Sequence, residues 1–384
     1  MRTAFPATFL LLASAALAVA ADPFQTLDAD KDGKLSAMEL PQAAGFDKDG
    51  DGLITKAEFT AATGGLANRI PAGQLGKVEA VKDLIRATGQ YFTVTEKLKD
   101  FDAIRDVDYV GAGNPRQKLD LLLPKDRKGK KRPLVVFIHG GGWEGGKKDD
   151  CFSFIPQYLS IEDYSVAAIN YRLSKEAPWP AQIHDCKAAI RFLRGKAEEY
   201  GIDPEKIGVV GFSAGGHLAA MLGTSSKVEA LEGNLGQFAS VSSGVQCVVN
   251  VFGVTNFFTY FGKDTTAEQI IAVPAAAKLL GKTKEAMEKN GREASPVTWI
   301  SKDDAPFFTA HGTKDPIVPF TQAVELDELL KKSGVETHLV AMEEGGHLFF
   351  SAELNGRIHA FFDKHLRGVK GEEISGRPIM AVSF

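Results

Sequence analysis

A chain of 384 residues is long enough for one large domain with a small one beside it. Its 44% hydrophobic and 24% charged residues are those of an ordinary folded chain and exclude global disorder. The net charge of -4 is unevenly placed, because residues 22–62 hold nine acids against four lysines; everything after residue 62 is neutral overall and offers no basic field for nucleic acid.

The first element is an apolar stretch, Phe9 to Ala20, behind Met1 and Arg2 and ending in small residues at Ala18 and Ala20. It reads as a secretory signal peptide over residues 1–21, since it is short for a bilayer span and carries an A-x-A-like cleavage site; the alternative is an uncleaved anchor. The expected location is therefore secreted or periplasmic, with no membrane span left after cleavage.

Residues 28–39 (DADKDGKLSAME) and 47–58 (DKDGDGLITKAE) are two full calcium loops. In the first, Asp28, Asp30 and Asp32 supply carboxylates at positions one, three and five, the Lys34 carbonyl serves at seven, and Glu39 chelates at twelve. Asp47, Asp49, Asp51, the Leu53 carbonyl and Glu58 repeat this in the second loop. Leu35 and Ile54 hold the eighth positions, where paired loops exchange strand hydrogen bonds. The expectation is a small α-helical EF-hand domain over 22–62 with structural calcium; recruitment of a partner is the other use of such repeats. Residues 63–100 follow as a glycine- and proline-marked linker with helical periodicity over Val78 to Ala87.

From residue 101 to about 370, strand-like runs alternate with helical ones, which predicts an α/β domain with a mostly parallel sheet, helices on both faces, and sites at the strands' carboxyl ends. The run Pro133 to Ile138 ends in His139, Gly140, Gly141, Gly142 and Trp143, where consecutive glycines let backbone N–H groups approach a substrate. Gly141 to Lys147 also fits a phosphate loop, but Lys148 stands where that loop needs a Ser or Thr for magnesium. Ser165 to Asn170 and Ile207 to Gly211 read as strands flanking a helix over Ile183 to Tyr200. Gly211-Phe212-Ser213-Ala214-Gly215 then reads as a nucleophile elbow, with Ser213 on a sharp strand-to-helix turn. The N–H groups of Gly141, Gly142 and Ala214 are the candidate oxyanion donors.

Residues 253–304 are read as a small cap insertion. Pro306 to Ala310 is a strand leading to Asp315, and Glu336 to Met342 is another leading to His347 on a glycine loop. The order Ser213, Asp315, His347 is that of α/β-hydrolases. His184 and His359 compete formally for the base, yet both fall in helical patterns. Residues 371–384 are read as a tail. Cys151, Cys186 and Cys247 are read as unpaired.

Several pieces in register carry a resemblance: KLDLLLP at 118–124, HGGGW at 139–143, NYRL at 170–173, PWPAQIHDCK at 178–187, GFSAGGH at 211–217, HGTKDPIVP at 311–319 and GGHLF at 345–349. The region from about Asp106 to Arg367 resembles the α/β-hydrolase carboxylesterases of the hormone-sensitive-lipase-like and bifunctional feruloyl/acetyl-xylan esterase groups. The resemblance implies a small-molecule or polysaccharide ester as substrate, with short acyl or aryl groups such as acetyl or feruloyl, and no catalytic cofactor. A prolyl-oligopeptidase-like peptidase shares the triad order, and a calcium-dependent binding protein with an inactive hydrolase domain is the reading from another class. Trp143 and Trp179 would either line a flat cleft or serve as packing. Because the base must be neutral, activity is expected to rise with pH through the range where an imidazole loses its proton.

Overall fold

The computed structural model describes residues 24–25, 28, 31–36, 49, 51, 53–63, 83, 100–126, 129, 131–153, 163–263, 265–371 and 373–381. The stretch read as a signal peptide, most of the linker, and Asp30, Glu39 and Asp47 of the expected calcium loops lie outside the described residues.

At the N-terminal end, β1 (Lys34–Ser36) pairs antiparallel with β2 (Leu53–Thr55), and Leu35 sits opposite Ile54. Both side chains are buried, as the eighth-position reading requires. The helix α1 (Lys56–Thr63) starts on a reciprocal cap in which the Glu58 carboxylate accepts from the Thr55 N–H and the Glu58 N–H donates to Thr55 Oγ1. Phe24 and Phe59 meet edge to face.

The larger domain is built on one sheet of nine strands: β3 (Phe101–Asp108), β4 (Lys118–Pro124), β5 (Arg132–Ile138), β6 (Ser165–Ile169), β7 (Ile202–Phe212), β8 (Cys247–Val251), β9 (Phe307–Gly312), β10 (Thr337–Glu343) and β11 (Ile379–Met380). Their spatial order is β11-β10-β9-β8-β7-β5-β6-β4-β3. Pairs from β6 to β11 are parallel, while β3 with β4 and β4 with β6 are antiparallel. Strand alternation sends Leu134, Val136 and Ile138 to one face and Val135 and Phe137 to the other, so both faces carry a packed layer. Helix α2 (Ala181–Gly195) and helix α3 (Ala214–Thr224) cover the first face through Ile183, Ile190, Leu218 and Leu222. Within the insertion lie α4 (Ala267–Ile271), α5 (Pro274–Leu280) and α6 (Lys284–Glu293). Next, α7 (Thr321–Lys332) adds Leu326 and Leu330 to the first face, and α8 (Ala352–Phe362) covers the second through Leu354, Ile358 and Phe361.

Two boundaries differ from the sequence reading. The helix expected to run from Ile183 to Tyr200 is two pieces, because α2 ends at Gly195 and a separate turn spans Ala197–Tyr200. Residues 371–384 are not simply a tail: Ile379 and Met380 pair with Met342 and Glu343 and close the sheet edge. The linker also touches the domain, since Asp83 Oδ1 accepts from the Glu353 N–H in the first turn of α8. Among the described residues no helix is long and apolar enough to cross a membrane.

Candidate active site

Ser213 stands between β7 and α3 with φ at 53°, a left-handed conformation that strains a non-glycine residue. The turn is tight enough to dictate its neighbours. A Cβ on Gly211 would lie 2.0 Å from the Gly215 carbonyl oxygen, and one on Gly215 would lie 2.1 Å from the Ile138 carbonyl oxygen. Both glycines of the motif are therefore steric necessities, and the Ser213 N–H is anchored on the Val251 carbonyl at 2.9 Å.

Asp315 and His347 arrive from two loops stitched together at the ends of β9 and β10. The Lys314 N–H donates to the Gly345 carbonyl at 2.9 Å, and the Glu344 N–H donates to Thr313 Oγ1 at 3.0 Å. This brings His347 Nδ1 to 2.7 Å from Asp315 Oδ2 and His347 Nε2 to 3.0 Å from Ser213 Oγ. The Asp315 side chain is fully buried, and its Oδ1 accepts from the N–H groups of Ile317 and Val318 at 2.8 and 2.9 Å. Burial works to raise its pKa, but hydrogen bonds from His311, His347 and Val318 outweigh that and hold the carboxyl well below the usual carboxylate range. An ionised Asp315 fixes the His347 proton on Nδ1, leaving the Nε2 lone pair facing the Ser213 hydroxyl. The competitors lie elsewhere, His184 on α2 against the Ala230 carbonyl and His359 on α8 beside Tyr164.

The glycine loop lies against the same serine. A Cβ on Gly140 would sit 2.8 Å from the Phe212 carbonyl oxygen and 3.4 Å from Ser213 Cβ. Gly141 (φ 109°) and Gly142 (φ 59°) follow in conformations that side chains resist, and the Gly141 carbonyl accepts from the N–H groups of Glu144 and Gly145. The N–H groups of Gly141 and Gly142 find no acceptor among the described residues, and that of Ala214 opens a helix, where it has no intrahelical partner. Lys148 is no phosphate ligand here, because its ammonium is buried between Asp120 at 3.0 Å and Asp106 at 3.1 Å.

Three supporting side chains escaped the sequence reading. His311 places Nε2 3.3 Å from Asp315 Oδ2 and 2.8 Å from the Val318 carbonyl, making it a second imidazole on the acid. Its only signal was its place four residues before Asp315 at a strand end. Phe252, with φ at 45°, packs its ring 4.6 Å from the His347 ring and limits its rotation. His217 accepts from Trp143 Nε1 at 3.1 Å and donates from Nε2 to the Ala294 carbonyl, tying the glycine loop, the elbow helix and the insertion together. Trp143 and Trp179 are both buried around His217, so they are packing and not a sugar-binding wall.

In the expected calcium loops, Asp28 Oδ1 and Oδ2 accept from the N–H groups of Asp32 and Gly33, Asp32 Oδ1 accepts from the Lys34 N–H, and Asp51 Oδ1 accepts from the Leu53 N–H. These bonds curl each loop around its own carboxylates. With Asp49 and Glu58 beside them, the donor set is hard oxygen, which fits calcium. Among the described residues alone no three such groups close into a metal site, and three of the named ligands lie outside them.

Comparison with known proteins gives the family. Residues 119–330 match the BD-FAE family, and residues 21–42 and 46–61 match the EF hand. The chain is 30% identical over 251 residues to Esterase LipQ of Mycobacterium tuberculosis, covering 64% of this chain and 56% of that protein. It is 28% identical over 269 residues to the probable isoprenylcysteine alpha-carbonyl methylesterase ICMEL1 of Arabidopsis thaliana, covering 67% and 54% respectively. The chain thus spans somewhat over half the length of these curated relatives. Among solved structures, a truncated carbohydrate esterase from gut microbiota superposes with a TM-score of 0.58 at 29% identity, covering 70% of this chain and 95% of that one. The butyrate-bound esterase Est2 of Thermogutta terrifontis gives 0.53 at 26% identity, covering 65% and 86%. By its family match, its parallel sheet and its strained serine turn, the chain belongs to the BD-FAE family of α/β-hydrolases.

Proposed function

We propose that the protein is an exported serine carboxylesterase that hydrolyses short acyl or aryl esters, with acetyl or feruloyl esters of plant polysaccharide as the substrate class. The observation that carries the chemistry is the run of contacts from Asp315 Oδ2 through His347 to Ser213 Oγ, at 2.7 and 3.0 Å. His347 Nε2 takes the serine proton as Oγ attacks the ester carbonyl. The N–H groups of Gly141, Gly142 and Ala214 hold the oxyanion, and each such donor is typically worth about 3 kcal/mol of barrier. His347 then gives its proton to the departing alcohol, leaving an acyl-serine, and a water molecule repeats the sequence to release the acid. The carbohydrate leaning draws on the gut carbohydrate esterase and on a bifunctional GH43-CE protein of Bacteroides eggerthii, TM-score 0.63 at 33% identity, of which this chain covers 38%. Export is proposed from the apolar N-terminal stretch alone.

A phosphonate ester reagent tests the nucleophile directly. One phosphonyl group per chain is expected, on the peptide containing Ser213, and peptide mass spectrometry finds it. Labelling elsewhere, or none on folded protein, overturns the assignment.

Calcium is proposed as a structural ion of the N-terminal pair, held by Asp28, Asp30, Asp32, the Lys34 carbonyl and Glu39, and by Asp47, Asp49, Asp51, the Leu53 carbonyl and Glu58. When bound it would cross-link each loop and supply no step of ester hydrolysis. Titration calorimetry on the full chain should show calcium heat, and EGTA should lower the melting temperature. A silent titration with unchanged melting refutes the metal.

A further inference from the structure

Phe261 and Ile317 are the two most exposed large apolar side chains among the described residues, at 54% and 55%. Scattered apolar residues on a surface need no explanation, but these two belong to one fixed structure. Tyr260 donates its hydroxyl to the Ile317 carbonyl, and its ring meets that of Phe261 edge to face at 5.0 Å. The Ile317 peptide is thereby held from both sides, since its N–H already donates to Asp315 Oδ1 at 2.8 Å. The Phe261 backbone is fixed as well: its N–H donates to Thr265 Oγ1 at 2.8 Å, and that hydroxyl donates to the Gly262 carbonyl at 2.7 Å. An unbroken run of contacts therefore leads from His347 through Asp315, Ile317 and Tyr260 to Phe261. The same insertion reaches the opposite side of the serine, where a Cβ on Gly142 would stand 3.6 Å from Ala275 Cβ.

The chemistry assigns the two sides different parts of an ester. The carbonyl oxygen turns toward the glycine loop, while the alcohol oxygen must receive its proton from His347 Nε2 and so departs on the histidine side. Ile317 is bonded to the acid that orients that histidine, and Phe261 is joined to Ile317 through Tyr260. We propose that Phe261 and Ile317 form a leaving-group subsite that takes the apolar face of a ring in the alcohol portion of the ester. This rests on the esterase reading above. Two sources share that chemistry, a pyranose ring and an aryl ring.

Three acetates that differ only in the alcohol test it: phenyl acetate, acetylated xylobiose and ethyl acetate, with acetate release measured for the full chain. Relative to ethyl acetate, Phe261→Ala should raise KM about 3- to 10-fold for a ring-bearing alcohol, the scale of one ring contact. Ile317→Ala should move the ratio the same way, and Phe261→Trp should restore it. A shift with only one ring type identifies the source. A ratio unmoved for both rings overturns the subsite while leaving the esterase standing. A folded wild type that releases acetate from none of the three overturns the esterase reading and the subsite with it.

Discussion

Ser213→Ala is expected to lower kcat on 4-nitrophenyl acetate by roughly 10⁴- to 10⁶-fold while leaving the melting temperature nearly unchanged. The hydroxyl oxygen is the atom that must form the acyl bond, and its proton is the one that faces His347 Nε2. Fold stability should hardly respond, because the elbow is held by backbone bonds, from the Ser213 N–H to the Val251 carbonyl and from the His217 N–H to the Ser213 carbonyl. Asp315→Asn should cost about 10⁴-fold for a different reason. An amide can present an N–H toward His347 Nδ1, which pushes the ring proton to Nε2 and removes the lone pair that faces the serine. Steady-state kinetics beside thermal melting check both variants. Equal rates for wild type and Ser213→Ala would remove the esterase assignment and leave the calcium-dependent binding protein as the better reading.

The parts of the site that could be read in the sequence are those encoded locally. Ser213 sits between glycines whose Cβ atoms would collide with backbone, so the constraint is written within five residues. Asp315 and His347 each follow an apolar strand run, and sites of parallel sheets gather at strand ends. What was not legible depends on contacts between distant segments. Phe252 precedes His347 by 95 positions and meets it only because β8 and β10 flank β9 in the sheet. His311 looked like part of a strand-end motif, and its bond to the acid needs the turn through Val318. Trp143 and Trp179 suggested a cleft because aromatic residues near a site often line one; their burial against His217 follows from the insertion, whose Ala294 carbonyl receives the His217 N–H. The break after Gly195 and the pairing of Ile379 likewise reflect packing, since neither segment carries a local signal strong enough to set its boundary.

Acidification is expected to destabilise the protein steeply between about pH 6.5 and pH 4, because His139 and His217 are buried in neutral form. Burial is the leading cause for both, and it pushes each imidazole down to about 4. His139 is stacked on Tyr171 at 4.3 Å behind the glycine loop, and His217 is enclosed by Trp143, Trp179 and Phe257. In the unfolded chain both would titrate near the ordinary histidine value of ~6.5. Between the two values the unfolded state binds more protons than the folded one, so stability rises with pH across that window and falls as pH drops through it. Each imidazole contributes about 3 kcal/mol over the full window, and two approach the whole stability of a typical domain. The depressed carboxyl of Asp315 extends the loss to lower pH, since its stabilisation is present above the unfolded aspartate value and is lost progressively as pH falls from there through the lower folded one. Denaturant unfolding measured from pH 7 to pH 4 checks the window, and His217→Gln should reduce the slope by the uptake of about one proton. A stability that stays level from pH 6.5 to 4 would mean that the two imidazoles are not held neutral, and the link from the glycine loop through His217 to Ala294 would then be misassigned.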